Sequence, residues 1–262
     1  MQSPAAPREQ KQSVQEHFGP AAARYAIASV HRAGADLEAL VRAVVAVAEG
    51  RERALDVGSG AGHTALALAP HVARVEALDL TRAMLEQVER LAAERGLANV
   101  TTRLGDAEAL PYPDASFEIA SCRLCAHHFQ RPALAVREMF RVLVPGGRLL
   151  LVDIVAAEEP EVDTFLNAIE IVRDPSHVRD HSISQWRGLL AAAGFEIEAV
   201  ESYPMRIDFE AWLTRIGAPA EAAAALRWMF AQATHEARAA LEIDEKLDFT
   251  LENAVFRARK PR

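Results

Sequence analysis

The 262-residue chain has little cysteine, two residues, and few aromatics, at 6%. Two cysteines exclude a disulfide scaffold and fit a reducing cytosol, so a cytoplasmic protein is expected. Long apolar runs are missing too. Charge interrupts every apolar stretch well short of the ~18 residues a membrane span requires, so no membrane span is expected. There is no excess of basic charge. The formal net charge of -8 argues against a nucleic-acid partner, because such binding draws affinity from a basic surface that neutralises phosphates. Residues 1–13 (MQSPAAPREQKQS) lack the apolar run of a secretory signal; polar and Pro-rich, they read as a disordered tail. No internal repeat and no Gly/Ser linker divides the remainder, so 14–262 is expected to be a single domain.

What is present is ordinary in amount and ordered in sequence. Half of the residues are hydrophobic and a quarter charged, enough for a core that needs neither metal nor disulfide to fold. Residues 21–48 place apolar side chains at helical spacing up to Gly50. Short β-rich runs then alternate with helical ones. ALDVG (54–58), VEALDL (75–80), VTTRLGD (100–106), FEIASCR (117–123) and RLLLVDIV (148–155) read as strands. TRAMLEQVERLAAERG (81–96) and PALAVREMFRVL (132–143) read as helices between them. Such alternation means βαβ units and a parallel sheet, hence an α/β fold. FEIEAVESY (195–203) reads as a further strand, and LDFTLENAVFRARK (247–260) alternates as an antiparallel edge strand would. Residues 209–245 are mostly helical.

The informative turn is Asp56-Val57-Gly58-Ser59-Gly60-Ala61-Gly62. Glycines there let the backbone turn tightly and approach a ligand with no Cβ in the way. The following helix directs its N-terminal amides at whatever is bound. Asp79 ends the second strand, 17 residues after Gly62, where an acid can accept both ribose hydroxyls of a nucleoside. A dinucleotide site calls for G-x-G-x-x-G, whereas the spacing here is G-x-G-x-G. Asp56, just before the loop, would repel phosphate and suit a cation. The combination favours a ligand with an adenosine end and a positively charged end over a nicotinamide dinucleotide.

ALDVGSGAGHT, the acid in ALDL, GDAEALPYPDASFE and REMFRVLVPGGRLLLVD follow one another over about residues 50–155. In order and spacing they resemble the successive motifs of class I S-adenosylmethionine-dependent methyltransferases, within them the UbiE-type group, and nearest the YcgJ-like bacterial methyltransferases. GHTALAL, CAHHF, RDPSHVR and FEAWLTRIGAP support the nearer likeness. The resemblance implies a Rossmann-like seven-stranded sheet of order 3-2-1-4-5-7-6 with an antiparallel last strand and helical insertions. It implies S-adenosyl-L-methionine as cofactor, S-adenosyl-L-homocysteine as product, and a small-molecule methyl acceptor. Carried over by position, Gly58 and Gly60 would line the methionine part and Asp56 would favour its ammonium end through water. Asp79 would hold the ribose hydroxyls, with Leu80 and Met84 on the adenine and Asp106 and Ala107 at its amino group and edge. Arg123 would offer a backbone carbonyl to the ammonium, so that its side chain need not matter. Tyr25 would close over the cofactor, with His31 near it.

Methyl transfer from a sulfonium is an in-line displacement in which positioning supplies much of the rate. A hydroxyl or acidic carbon acceptor needs a base as well. His127 and His128 follow strand four, and Asp153 lies near the end of strand five. Open α/β sheets place ligands outside those strand ends, so these three are the candidate bases. The plainer alternatives are a pocket-shaping His128, a packed His127 and a locally paired Asp153. Cys122 and Cys125 with the two histidines have a zinc-like spacing, but Cys122 should be buried in its strand, and zinc ligands must converge tetrahedrally; no metal is expected. Segments 156–182 and 204–247 are expected to be insertions that form the acceptor pocket. Arg173, His177, Arg179 and His181 could hold an anionic acceptor or be paired with Asp174 and Asp180. Trp186, Trp212, Trp228, Met205 and Met229 could line an apolar pocket, or belong to the core or a subunit interface. Two other classes stay open: a nicotinamide-dependent oxidoreductase and a non-catalytic cofactor-binding module. A homodimer is also open.

Overall fold

The computed structural model describes residues 9–28 and 32–262. Seven strands, β1 (Arg53–Val57), β2 (Arg74–Asp79), β3 (Val100–Leu104), β4 (Phe117–Arg123), β5 (Leu143–Ile154), β6 (Glu196–Ile207) and β7 (Phe249–Arg259), form one sheet in the order β3-β2-β1-β4-β5-β7-β6. Pairing is parallel from β3 to β5, and β7 runs antiparallel to both of its neighbours. The helices are α1 (Gln10–Ile27), α2 (Ala35–Val45), α3 (His63–Leu68), α4 (Arg82–Glu94), α5 (Pro132–Val142), α6 (Pro160–Arg173), α7 (Ile183–Ala192), α8 (Phe209–Ile216), α9 (Ala220–Ala231) and α10 (His235–Ala240). Among the described residues, no helix is long and apolar enough to cross a membrane.

Successive side chains of β5 show how the sheet is clothed, since neighbours on a strand face opposite ways. Leu149 and Leu151 pack with Val136 and Met139 of α5 and with Trp186 and Leu190 of α7. Leu150 and Val152 pack with Leu40 and Val44 of α2, Leu68 of α3 and Val88 of α4. All four strand residues are buried, each burial favouring the fold by about 1.5–3 kcal/mol. Strand residues buried on both faces explain why this run shows little alternation in sequence.

Four expectations change. Residues 10–13, read as tail, begin α1, which lies against α4 and α8. The 21–48 pattern is two helices, because α1 ends at Ile27 and α2 starts at Ala35. Strand five begins at Leu143, so Pro145-Gly146-Gly147 lies within it, where β4 slips register between Phe117 and Ile119. The last strand is not an edge: β6 covers it, and its central residues Ala254, Val255 and Phe256 are all buried. The two insertions pack mostly on each other. Trp212 and Phe230 join Leu166 of α6 and Phe249 of β7 in a separate apolar cluster.

Candidate functional site

The turn after β1 shows why its glycines are needed. Gly58 has φ +66, and a Cβ there would sit 2.1 Å from Cys125 Sγ. Gly62 has φ +89, and its Cβ would meet Val88 at 2.8 Å. Both combine a left-handed backbone, costly for other residues, with a close approach. Asp56 lies beneath this turn. Its carboxylate accepts from Ser121 Oγ at 2.7 Å and from the Ala65 amide at 3.1 Å. Burial pushes its pKa up to about 7 against those hydrogen bonds. Asp56 is not itself on the cleft wall; its carboxylate ties the turn to β4 and to the first turn of α3.

Asp79 ends β2 at the wall itself. Oδ2 accepts from the Gly60 amide at 2.8 Å and Oδ1 from the Thr81 amide at 2.8 Å. The carboxylate therefore ties the glycine turn to the start of α4, and each oxygen keeps a lone pair. Burial raises its pKa from the ordinary value, and the amide hydrogen bonds oppose that.

A cleft opens over the C-terminal ends of β1, β2 and β4, the place where open α/β sheets bind their ligands. Gly58, Gly60, Asp79, Leu80, Met84, Asp106, Ala107, Arg123, Tyr25 and His128 all line it, which brings together most of the expected site. His31 lies outside the described residues. Arg123 departs from expectation because its side chain matters: Nε donates to Asp36 Oδ2 at 2.6 Å, and both groups are buried. Asp106 is held by Lys11, which also pairs with Glu108 at 3.0 Å. Lys11, Val14 and Phe18 of α1 complete the wall. Sequence reasoning missed Lys11 because it assigned residues 1–13 to a disordered tail, and it gave Val14 and Phe18 no role. Ser59, His63 and Thr81 were also missed, although they lie in or beside the motif already read. Among the described residues, Ser59 Oγ, His63 Nδ1 and Thr81 Oγ1 are buried without a hydrogen-bond partner, and all three residues line the cleft. A polar ligand would supply what buried polar atoms require.

The three candidate bases separate. Asp153 is 0% exposed and is not on the cleft wall. It accepts from His127 twice, from Nδ1 at 2.6 Å and from the backbone amide at 2.8 Å. His127 is also off the wall. Its pKa is pushed up to about 10, the Asp153 carboxylate outweighing burial. His128 lines the cleft. Its Nδ1 lies 3.0 Å from the Ser176 carbonyl, which can only accept, so Nδ1 carries the proton and Nε2 the lone pair. Burial and the neighbouring His127 charge push its pKa down to about 4.

The insertions back the cleft without lining it. Ser176 reaches His128, and the Arg173 charge bears on Tyr25. Arg173 also donates to the Trp212 carbonyl at 3.1 Å and to Glu170 at 3.3 Å. Arg179 pairs with Asp163, and His177 is buried against Asp180 at 3.9 Å. The basic cluster is thus largely internally paired. Trp186 and Trp212 are core residues, whereas Trp228 is 66% exposed. Cys122 is buried in β4, and Cys125 packs over Gly58.

A parallel sheet with one antiparallel strand, a glycine turn and an acid at the end of β2 together define the class I methyltransferase architecture, and comparison with known proteins agrees. Residues 55–151 match the family described as Methyltransferase domain. The chain is 41% identical over 204 residues to the methyltransferase YcgJ of Bacillus subtilis, covering 78% of this chain and 80% of that protein. The crystal structure of YcgJ superposes with a TM-score of 0.83 at 36% identity, covering 87% of this chain and 98% of that one. A demethylmenaquinone methyltransferase of Deinococcus radiodurans is 36% identical over 150 residues, covering 56% of this chain and 62% of that protein. The chain belongs to this methyltransferase family, and it is an enzyme of that class.

Proposed function

We propose that the cleft binds S-adenosyl-L-methionine and that the enzyme transfers its methyl group to a small-molecule acceptor by in-line displacement. One observation carries the reading: Asp79, at the end of β2 and on the cleft wall, bridges the Gly60 and Thr81 amides and keeps a lone pair on each oxygen. Two vicinal hydroxyls of a ribose suit such a carboxylate. The unpartnered Ser59, His63 and Thr81 atoms support a polar ligand in the same cleft. Leu80 and Met84 offer apolar faces to an adenine, and Asp106 or the Ala107 backbone a partner for its amino group. Bound there, the cofactor supplies a methyl group already activated on a sulfonium.

The chain's own residues then have three tasks. Gly58 and Gly60 let the backbone approach the ligand. Phe18 and Tyr25, whose rings meet edge-on at 5.3 Å, roof the cleft and keep water from it, which favours transfer from a charged donor. His128 is the base. A proton leaves the acceptor's nucleophilic atom for Nε2, the bonding pair stays on that atom, and Nδ1–H remains on the Ser176 carbonyl. The proton passes on to water at the cleft mouth. Titration calorimetry with S-adenosyl-L-homocysteine, with NAD and NADP as controls, tests the cofactor. Binding of the first alone supports the proposal, and selective binding of a dinucleotide overturns it.

A further inference from the structure

Beside the cleft lies a group of ionisable side chains that the transfer step itself does not use. His127 and His128 are adjacent rings, centroids 4.3 Å apart and tilted 53°. His127 is fixed from both ends. Its ring and its amide both bind the Asp153 carboxylate, while its carbonyl accepts from the Val178 and Arg179 amides at 2.9 and 3.0 Å. That second contact anchors the 174–181 loop, whose Ser176 carbonyl holds His128 Nδ1. Gln10 of α1 donates to the same carbonyl. His128 is thus oriented by a loop that is itself seated on His127.

Resting on the proposed function, we infer that Asp153 and His127 are positioning residues: a fixed imidazolium–carboxylate pair that holds His128 as the neutral Nδ1–H tautomer, with Nε2 as its basic nitrogen. The charge comes from geometry. A carboxylate with no exposure, 2.6 Å from an imidazole nitrogen, keeps that ring protonated, because in a low-dielectric site the attraction is barely screened. The imidazolium in turn stands against any second positive charge on His128. His128 accepts a proton only fleetingly and returns to neutral at once. The arrangement suits an acceptor whose own proton is acidic, since the His127 charge also favours an anion formed in the cleft.

From β5, Asp153 faces His127. From the 174–181 loop, Asp174 faces His128, His177 stacks on His127 at 5.6 Å, and Asp180 lies near both. Cys125 adjoins from the turn after β4, and α1 presents the uncharged Phe18, 5.0 Å from His128. Asp174 is an ionised counterweight, with its pKa held low and its carboxylate accepting from Ser176. Asp180 is buried with neither oxygen hydrogen-bonded among the described residues, and burial pushes its pKa well above the ordinary carboxylate value against the pull of the His127 charge. Burial and the nearby cations push His177 down to about 2. His127 is therefore the cation of the group.

The test needs no acceptor. Proton–nitrogen NMR spectra of the imidazole rings of the full chain, nitrogen-labelled, give the protonation state and tautomer of each histidine, with His128 assigned by the signal lost in His128→Gln. The expected result is a doubly protonated His127 and a singly protonated, Nδ1–H His128 from about pH 5 to about pH 8. In Asp153→Asn, His127 should become neutral near pH 7, and the His128 midpoint should rise by at least about one pH unit. His127→Gln should raise the His128 midpoint in the same direction if Asp153→Asn does not fold. A neutral His127 at pH 7 in the unmodified chain, or a His128 midpoint unmoved by either variant, overturns the inference. Neither result bears on S-adenosyl-L-homocysteine binding, which calorimetry judges separately.

Discussion

The two ends of the cleft are built differently. The glycine-turn end is made largely of backbone and of residues at the ends of β1, β2 and β3, with Lys11 reaching Asp106 from α1. Gly60, Asp79 and Thr81 meet there because two adjacent parallel strands end together. The histidine end is assembled from distant segments: Phe18 of α1, His127 and His128 after β4, Asp153 of β5, and Ser176 and His177 after α6. The contrast separates two kinds of precision. One end is fixed by the sheet. The other depends on an insertion packed behind it.

Variants can sharpen or break this contrast. The largest effect is expected between the two ends, at the buried Arg123–Asp36 pair. Asp36→Ala removes the buried carboxylate from a buried ion pair and should lower folding stability by about 3–5 kcal/mol, measurable by urea unfolding. At the glycine-turn end, Asp79→Ala should weaken S-adenosyl-L-homocysteine binding by about 1–3 kcal/mol, read by calorimetry, through lost charged hydrogen bonds. An unchanged affinity in the folded variant would break the assignment of that end. Gly58→Ala forces a left-handed alanine at ~1–2 kcal/mol and thrusts its Cβ at Cys125, so it should reduce both stability and that affinity.

At the histidine end the signature is a pH dependence. The pKa of His127 is raised to about 10, above the value near 6.5 of an unfolded histidine. Its stabilising contribution is complete below about pH 6.5 and is lost as pH rises through about 10. The stability gap between the unmodified chain and His127→Gln should therefore narrow across that interval in urea unfolding. A constant gap would mean that the ring is neutral and merely packed. The smallest effect is expected at Lys11→Met. That partly exposed ion pair with Asp106 and Glu108 should change stability by no more than about 1 kcal/mol. Urea unfolding reads the change.

Legibility in the sequence followed the same division. The strand runs, the glycine turn and Asp79 could be read because hydrophobic periodicity and turn chemistry are local. The order of the sheet came from the family resemblance, and the structure has that order. Local pattern misled at β7, whose alternation suggested an edge, because nothing in a single run reveals that β6 will pair outside it. Asp56 was assigned to the ligand by its place before the turn. Only the fold shows Ser121 of β4 and the Ala65 amide occupying its carboxylate. The Arg123–Asp36 and His127–Asp153 pairs join residues 87 and 26 positions apart, and no spacing rule would have matched them. Lys11 was invisible because a polar, Pro-rich start gave no sign that α4 and α8 would dock a helix there.

The central claim is that a sulfonium-bearing nucleoside lies in the cleft with its sugar on Asp79. A crystal structure of the chain grown with S-adenosyl-L-homocysteine measures this most directly. Both ribose hydroxyls within hydrogen-bond distance of the Asp79 carboxylate, with the thioether sulfur facing the His128 side, is the predicted result. An empty cleft, or the ligand bound anywhere else on the molecule, would contradict it.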